Sequence, residues 1–302
     1  MLSLVCEPQN STLYVFLTDR VLPDLGHVQP GRRGRKTVLS DAELLCLVVA
    51  QHLLHGHSSE SRWVRYARTH LREMFPGIPQ QSGYNKRVRA AGTLISAVIT
   101  SLARDTESWH EILRLLDSTP IPCGTSRETV KRSDLAGHAG YGYCASHSRY
   151  FWGFCLYLIS TPEGMPVSWG LANPKLGERE VTEALLRHDH HLVRDGQAIL
   201  ADKGFAGKDF ERFITQDLGA NLVRPDRKDE KPRFGKFGGI RQWIESVFDS
   251  IKGQLGLEHH GARTLDGLYA RVASKHLALS AGIWHNWKTH EPRKRPLTAY
   301  DH

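Results

Sequence analysis

Cysteine is scarce in this chain of 302 residues. Cys6, Cys46, Cys123, Cys144 and Cys155 are odd in number, scattered, and form no CxxC pair. That argues against a disulfide framework or a zinc finger and fits a reducing compartment. Long apolar runs are also missing: LLCLVV and FWGFCLYLI fall far short of a membrane span. The first residues, MLSLVCEPQNS, have neither the basic flank nor the apolar length of a signal peptide. A soluble cytoplasmic protein without a membrane partner is expected. Acid is in deficit too, with 32 Asp and Glu against 40 Lys and Arg for a net charge of +8. Such a surplus favours a polyanionic partner and says nothing about fold.

The chain is long enough for two domains. Its first third reads as helical. Ser40 and Glu43 have capping-box spacing ahead of AELLCLVVAQHLL. SESRWVRYARTHLREMF places Trp63, Tyr66, Leu71 and Phe75 near helical spacing, and YNKRVRAAGTLISAVITSLA reads as one helix that begins basic and ends apolar. From Ile112 the rhythm changes. EILRLLD reads as a buried strand. SRYFWGFCLYLIST and MPVSWGLAN, joined by Pro162-Glu163-Gly164, read as a hairpin. EREVTEALLRH, QAILAD, KDFERFITQ and GANLVRP then alternate helix and strand. DRKDEKPRFGKFGG has no periodicity and reads as a mobile loop; RQWIESVFDSIKGQLG and LDGLYARVASKHLALSAGIWHNW read as helices. This order predicts an α/β fold: a ribonuclease-H-like catalytic core, a mixed five-stranded sheet with flanking helices, preceded by a helical N-terminal domain. The expected boundaries are 1–108 helical and DNA-binding, 109–287 catalytic, and 288–302 a frayed basic tail.

Three acids interrupt apolar patterns. Asp117 closes EILRLLD, Asp202 closes QAILAD, and Glu245 sits in RQWIESVFDSIK. A carboxylate is costly to bury alone, so each calls for a cation or hydrogen-bond donors. In the expected core the first and fourth strands are neighbours, which brings Asp117 and Asp202 together. On the last segment Ile244, Val247, Phe248, Ile251 and Leu255 form an apolar stripe, while Arg241, Glu245, Asp249 and Lys252 share a neighbouring face. Periodicity alone does not separate Glu245 from Asp249. Each acid taken singly reads as a solvated charge or a turn former; the three in this order read as a metal site for phosphoryl transfer.

LLDSTPIPC, ILADKGFAG and RQWIESVFDSIK resemble the DDE transposases of bacterial insertion sequences. Arg241, Glu245 and Lys252 reproduce the R-x3-E-x6-K spacing of a large group of them, although Gly238 replaces the tyrosine that often precedes the arginine. LSDAELLCL, the RW..YAR..L..MFP segment and Tyr84-Asn85-Lys86-Arg87 make the layout most similar to insertion-sequence family 982, from about Val38 to Trp287. The resemblance implies metal-dependent cleavage at insertion-sequence ends and strand transfer into target DNA. It implies Asp117, Asp202 and Glu245 as catalytic metal ligands for two Mg²⁺ ions, with Mn²⁺ as a substitute, as hard oxygen donors suit. Arg241, Lys252 and Lys203 are the expected phosphate contacts.

Basic residues cluster in GRRGRK (Arg32 to Lys36), in SRWVRYARTHLR, in NKRVR with Lys86, Arg87 and Arg89, and in the loop from Arg224 to Arg241. The loop, with Arg233 and Lys236, is the expected contact to double-stranded DNA at the active site. The helix starting at Tyr84 is a candidate groove reader. His188-Asp189-His190-His191 and His259-His260 read as solvated helix ends rather than metal ligands. Two other functions share these features: a hydrolysis-only nuclease of the same fold, and a non-catalytic DNA-binding regulator. Coupled cutting at two ends is consistent with a homodimer in the end complex, and a nucleoid-associated place in a bacterial cytoplasm follows from the same resemblance.

Overall fold

The computed structural model describes residues 12–26, 38–54, 59–144, 148–227, 230–231, 233, 238–293 and 297. In chain order the described elements are α1 (Thr12–Phe16), a π-helical turn (Leu17–Val21), α2 (Leu22–Asp24), α3 (Asp41–Leu53), α4 (Glu60–His70), α5 (Gln81–Ala90) and α6 (Gly92–Arg104). There follow β1 (Leu113–Gly124), α7 (Arg127–Arg132), β2 (Gly140–Cys144), β3 (Arg149–Ser160), β4 (Pro166–Ala172), α8 (Glu178–His188) and β5 (Ala198–Leu200). The last are α9 (Lys208–Arg212), β6 (Asn221–Val223), α10 (Gly238–Asp249) and α11 (Leu265–Lys288). The chain divides into two units: Met1–Leu102 with Ser250–Gly261 and Asp266–His302, and Ala103–Asp249 with Ala262–Leu265. No described helix is long and apolar enough to cross a membrane.

In the first unit, Ser40 caps α3 as its spacing predicts. Its hydroxyl accepts the Glu43 N–H at 3.1 Å, and the Glu43 carboxylate accepts the Ser40 N–H in return. From Leu44 to Leu53 α3 is buried on all sides, which is why its residues are apolar without a break from Leu44 to Ala50. Glu60 on α4 takes a forked ion pair from Arg271 on α11, both bonds 2.8 Å. Lys275, buried on α11, satisfies its ammonium group on the Leu255 carbonyl. The single helix expected over Tyr84–Ala103 is two. The chain breaks at Ala91, and Gly92 opens α6 where a Cβ would stand 3.4 Å from the Tyr269 ring. After α11 the chain folds back, with Asn286 donating to the Pro292 carbonyl at 3.0 Å.

The second unit is built on a mixed sheet of order β2-β3-β1-β5-β6, with β4 also pairing β3. β1, β3 and β4 are antiparallel to one another in sequence, whereas β5 and β6 join β1 in parallel. Leaving β2 aside, the order β4-β3-β1-β5-β6 is the ribonuclease-H-like core that the element rhythm predicts. β2, the short GYGYC strand, is an addition; its two glycines and exposed tyrosines hide it from a pattern search. The β3–β4 hairpin turns where expected. Gly164 adopts φ +92°, a conformation open to glycine, and its N–H donates to Thr161 at 2.9 Å.

β1 runs past Asp117 to Gly124, so this acid lies within a strand and not at its end. Pro120 and Pro122 suggest a stop, yet both pair with β3, opposite Cys155 and Gly153. They are tolerated because β5 pairs β1 only over Leu113–Leu115 and leaves the other edge open beyond it.

Candidate active site

β1 and β5 place two of the predicted acids side by side. Leu115 pairs with Leu200, and Asp117 and Asp202 each lie two positions further along. Neighbouring strands stand roughly 4.8 Å apart, and a step of two returns each side chain to the same face. Asp202 keeps an extended backbone, φ −80° and ψ 171°, and the Ala201 N–H still donates to Val223 at 3.0 Å. The strand geometry therefore persists to the acid even though β5 itself ends at Leu200. Each carboxylate is braced by its own backbone. Asp117 Oδ1 accepts the Ser118 N–H at 2.7 Å, and Asp202 Oδ1 accepts the Gly204 N–H at the start of a 3-10 turn.

Glu245 arrives from α10. This helix packs on β1 and seats Val247 over the β3–β4 turn, where a Cβ on Gly164 would stand 2.8 Å from the valine methyl. Ile244, Val247, Phe248, Ile251 and Leu255 are all buried, as the stripe predicts. Glu245 and Asp249 are both exposed beside it. Among the described residues no three His, Cys, Asp or Glu side chains converge tightly enough to hold a metal ion. The β1–β5 register sets Asp117 and Asp202 side by side, and Glu245 forms no such cluster with them among the described residues.

A different glutamate stands close. Glu178, the first residue of α8, accepts the Ser118 hydroxyl at 3.0 Å on Oε1. A Cβ on Gly204 would lie 2.8 Å from both Glu178 Oε2 and Asp202 Oδ1, so the two oxygens flank one point, and only glycine leaves room there. The Glu178 residue as a whole is exposed. Its carboxyl group is nonetheless partly desolvated; that burial first, and the neighbouring Asp202 charge after it, lift its pKa, while the Ser118 bond opposes the rise. Sequence gave no signal for this residue, since an acid in a first helical turn is commonplace. Only the tertiary contact with Ser118 marks it.

Two arginines hold the end of the Lys203–Phe205 turn. Arg179 Nη1 donates to the Ala206 carbonyl at 3.0 Å and Arg227 Nη2 to the same oxygen at 3.3 Å; Lys203 is exposed beside Asp202. Arg233 pairs with Glu211 at 3.4 Å. Lys252, in the π-helical turn after α10, pairs with Glu258 at 3.6 Å. Lys86 and Arg89 are exposed on α5, whereas Arg87 turns inward to the Leu39 carbonyl and Asp41, both at 2.6 Å. α5 begins at Gln81, and Tyr84 is buried with its hydroxyl donating to Gln51 at 3.3 Å. Arg241 lies on α10, but its side chain falls outside the described residues, as do Lys236 and the Arg32 to Lys36 cluster.

The basic loop after β6 starts from a fixed point. Arg224 is buried and forks between Glu211 at 2.6 Å and Glu230 at 2.7 Å, which raises the pKa of its guanidinium further. The Arg224 bonds, followed by the Arg227 N–H at 3.0 Å, pull Glu230 down to about 2. A carboxylate with a depressed folded pKa adds stability above its ordinary value, and that stability is lost as pH falls toward the folded one. Amide exchange at Arg224 and Arg227 is therefore expected to accelerate between pH 4.5 and 2 relative to a Glu230→Gln chain. Identical profiles for the two chains would show that this ion pair does not hold the loop.

Residues 108–281 match the family model described as a transposase DDE domain. No curated protein matches the chain. Among solved structures, a cryo-electron-microscopy structure of a piggyBac transposase synaptic complex with hairpin DNA is similar over 99% of this chain and 80% of that chain, at 10% sequence identity and a TM-score of 0.48.

Proposed function

Since the chain belongs to the transposase DDE domain family, we propose that it nicks the ends of a bacterial insertion sequence resembling family 982 and joins the freed 3′-hydroxyl to target DNA. The observation that carries this reading is the register of β1 and β5, which sets Leu115 opposite Leu200 and leaves Asp117 and Asp202 each two positions beyond that pair. Two hard-oxygen donors fixed at that spacing suit a divalent ion that needs few protein ligands. Asp117, Asp202 and Glu245 would hold Mg²⁺, or Mn²⁺ in its place, and the bound ions would supply Lewis-acid stabilisation of an in-line displacement at phosphorus. Glu245 would complete the set by moving inward on α10 when DNA is bound.

The chain's own residues do the rest. Backbone bonds from Ser118 and Gly204 orient the aspartates, and the exposed Lys203 would contact the scissile phosphate. Arg241, Lys252, Arg233 and Lys236 extend the phosphate track, and Lys86 and Arg89 on α5 present cations to the transposon end. Arg87 serves α5 by tying it to α3. The helical unit, residues 1–108 in the sequence reading, would recognise the end sequence, and residues 109–287 would carry the chemistry. Two copies acting on two ends in the nucleoid would complete the reaction.

The test is strand cleavage and joining on DNA carrying the gene's own flanks, with Mg²⁺, with Mn²⁺ and with EDTA. Metal-dependent nicking followed by joined products is expected. Nicking without joining would instead support a hydrolysis-only nuclease, and binding without cleavage in either metal would support a regulator.

A further inference from the structure

The β2–β3 ribbon carries an aromatic surface that the active site leaves unused. Residues opposite one another in an antiparallel ladder point to the same face. Tyr141 pairs with Trp152 and Tyr143 with Tyr150, so these four rings share one side of the ribbon. The other side is closed: a Cβ on Gly142 would strike Phe151 and Pro174, and one on Gly140 would strike Asn173. Trp152 is buried at the ribbon's base, against Gly124 and beside Thr129 of α7. The three tyrosines are not. Tyr141 is 56% exposed, Tyr143 54% and Tyr150 81%, and the Tyr143 and Tyr150 rings lie 4.9 Å apart. Exposed rings of this number on one short face are unusual for a surface with no partner.

Charge around the patch selects the partner. α7, which flanks the ribbon's base, exposes Arg127, Lys131 and Arg132, the last two each 3.6 Å from Glu128. Tyrosine faces flanked by cations match a nucleic acid whose bases are unpaired: phosphates meet the cations, and each base offers a flat surface to a ring. A blunt duplex offers the phosphates but keeps its bases stacked. A second copy of this chain would bring the same positive charge to the contact.

We propose that the Tyr141, Tyr143 and Tyr150 face binds unpaired bases of the DNA on which the active site works. Tyr150 lies along β3 from Leu158, the partner of Asp117, by about 26 Å at roughly 3.3 Å per residue. That is close to eight base steps at roughly 3.4 Å each. The proposal rests on the reading of the chain as a DNA-processing enzyme, and its test measures binding rather than cleavage.

The test uses the full chain and two DNAs of equal length, one blunt and one with a single-stranded overhang, compared by fluorescence anisotropy at fixed salt. The parent chain is expected to prefer the overhang by about tenfold, the weight of one stacked base. In a Tyr143→Ser, Tyr150→Ser chain the preference disappears and blunt-end affinity stays. A Tyr143→Phe, Tyr150→Phe chain keeps the preference, because stacking needs the ring and not the hydroxyl. Equal overhang preference in the serine chain overturns the proposal. So does a change confined to self-association in sedimentation, which would make the face an interface between copies. A parent chain that binds the overhang but never nicks would count against the proposed function and leave this surface standing.

Discussion

Asp117→Asn and Asp202→Asn chains are expected to lose metal-dependent nicking by about a thousandfold, roughly 4 kcal/mol of transition-state stabilisation, while binding DNA as the parent does. The substitution is nearly isosteric, and what it removes is charge. The amide oxygen of an asparagine still accepts the Ser118 N–H beside position 117 and the Gly204 N–H beside position 202. The 3-10 turn from Lys203 to Phe205 and the β1 backbone therefore stay as they are, and thermal melting should move little. In the proposed function binding rests on cations that neither change touches, among them Lys203, Lys86 and Arg89. A variant that nicks at the parental rate would remove its residue from the site. Variants that lose binding as well as cleavage would place the two aspartates in the fold, not the chemistry.

The sequence made the sheet legible where apolar runs end in informative residues. QAILAD and EILRLLD marked the fourth and first core strands, and their pairing follows from the expected order. The α10 stripe was equally clear, because every residue on it is buried. Legibility failed where tertiary contacts decide. Pro120 and Pro122 look like a strand stop, and only the open edge beyond Leu115 lets β1 continue to Gly124. Arg87 sits in a basic run and reads as a DNA contact, yet Leu39 and Asp41 claim its guanidinium. The loop after β6 lacks periodicity, but Arg224 pins its first residues through Glu211 and Glu230. In each case the partner is distant in sequence or acts through a contact that spacing does not encode.

The choice of third acid separates the motif from the geometry. A Glu245→Gln chain is expected to match the aspartate variants in its loss of nicking, since in the proposed function α10 supplies that carboxylate to the pair. A Glu178→Gln chain is expected to behave differently. Its amide oxygen can still take the Ser118 hydroxyl, so α8 keeps its start. What disappears is the negative charge beside Asp202, two carboxylates whose mutual repulsion a cation relieves. Positioning groups next to metal ligands commonly change metal affinity by about 10- to 100-fold. Mn²⁺ affinity, read from the electron paramagnetic resonance of the free ion, should fall in that range, and added Mn²⁺ should restore nicking. Loss of nicking at unchanged Mn²⁺ affinity would assign Glu178 a structural role through Ser118. Full nicking by Glu245→Gln together with none by Glu178→Gln would move the third acid from α10 to the start of α8. The R-x3-E-x6-K spacing would then mark a helix that packs on the sheet without feeding its site.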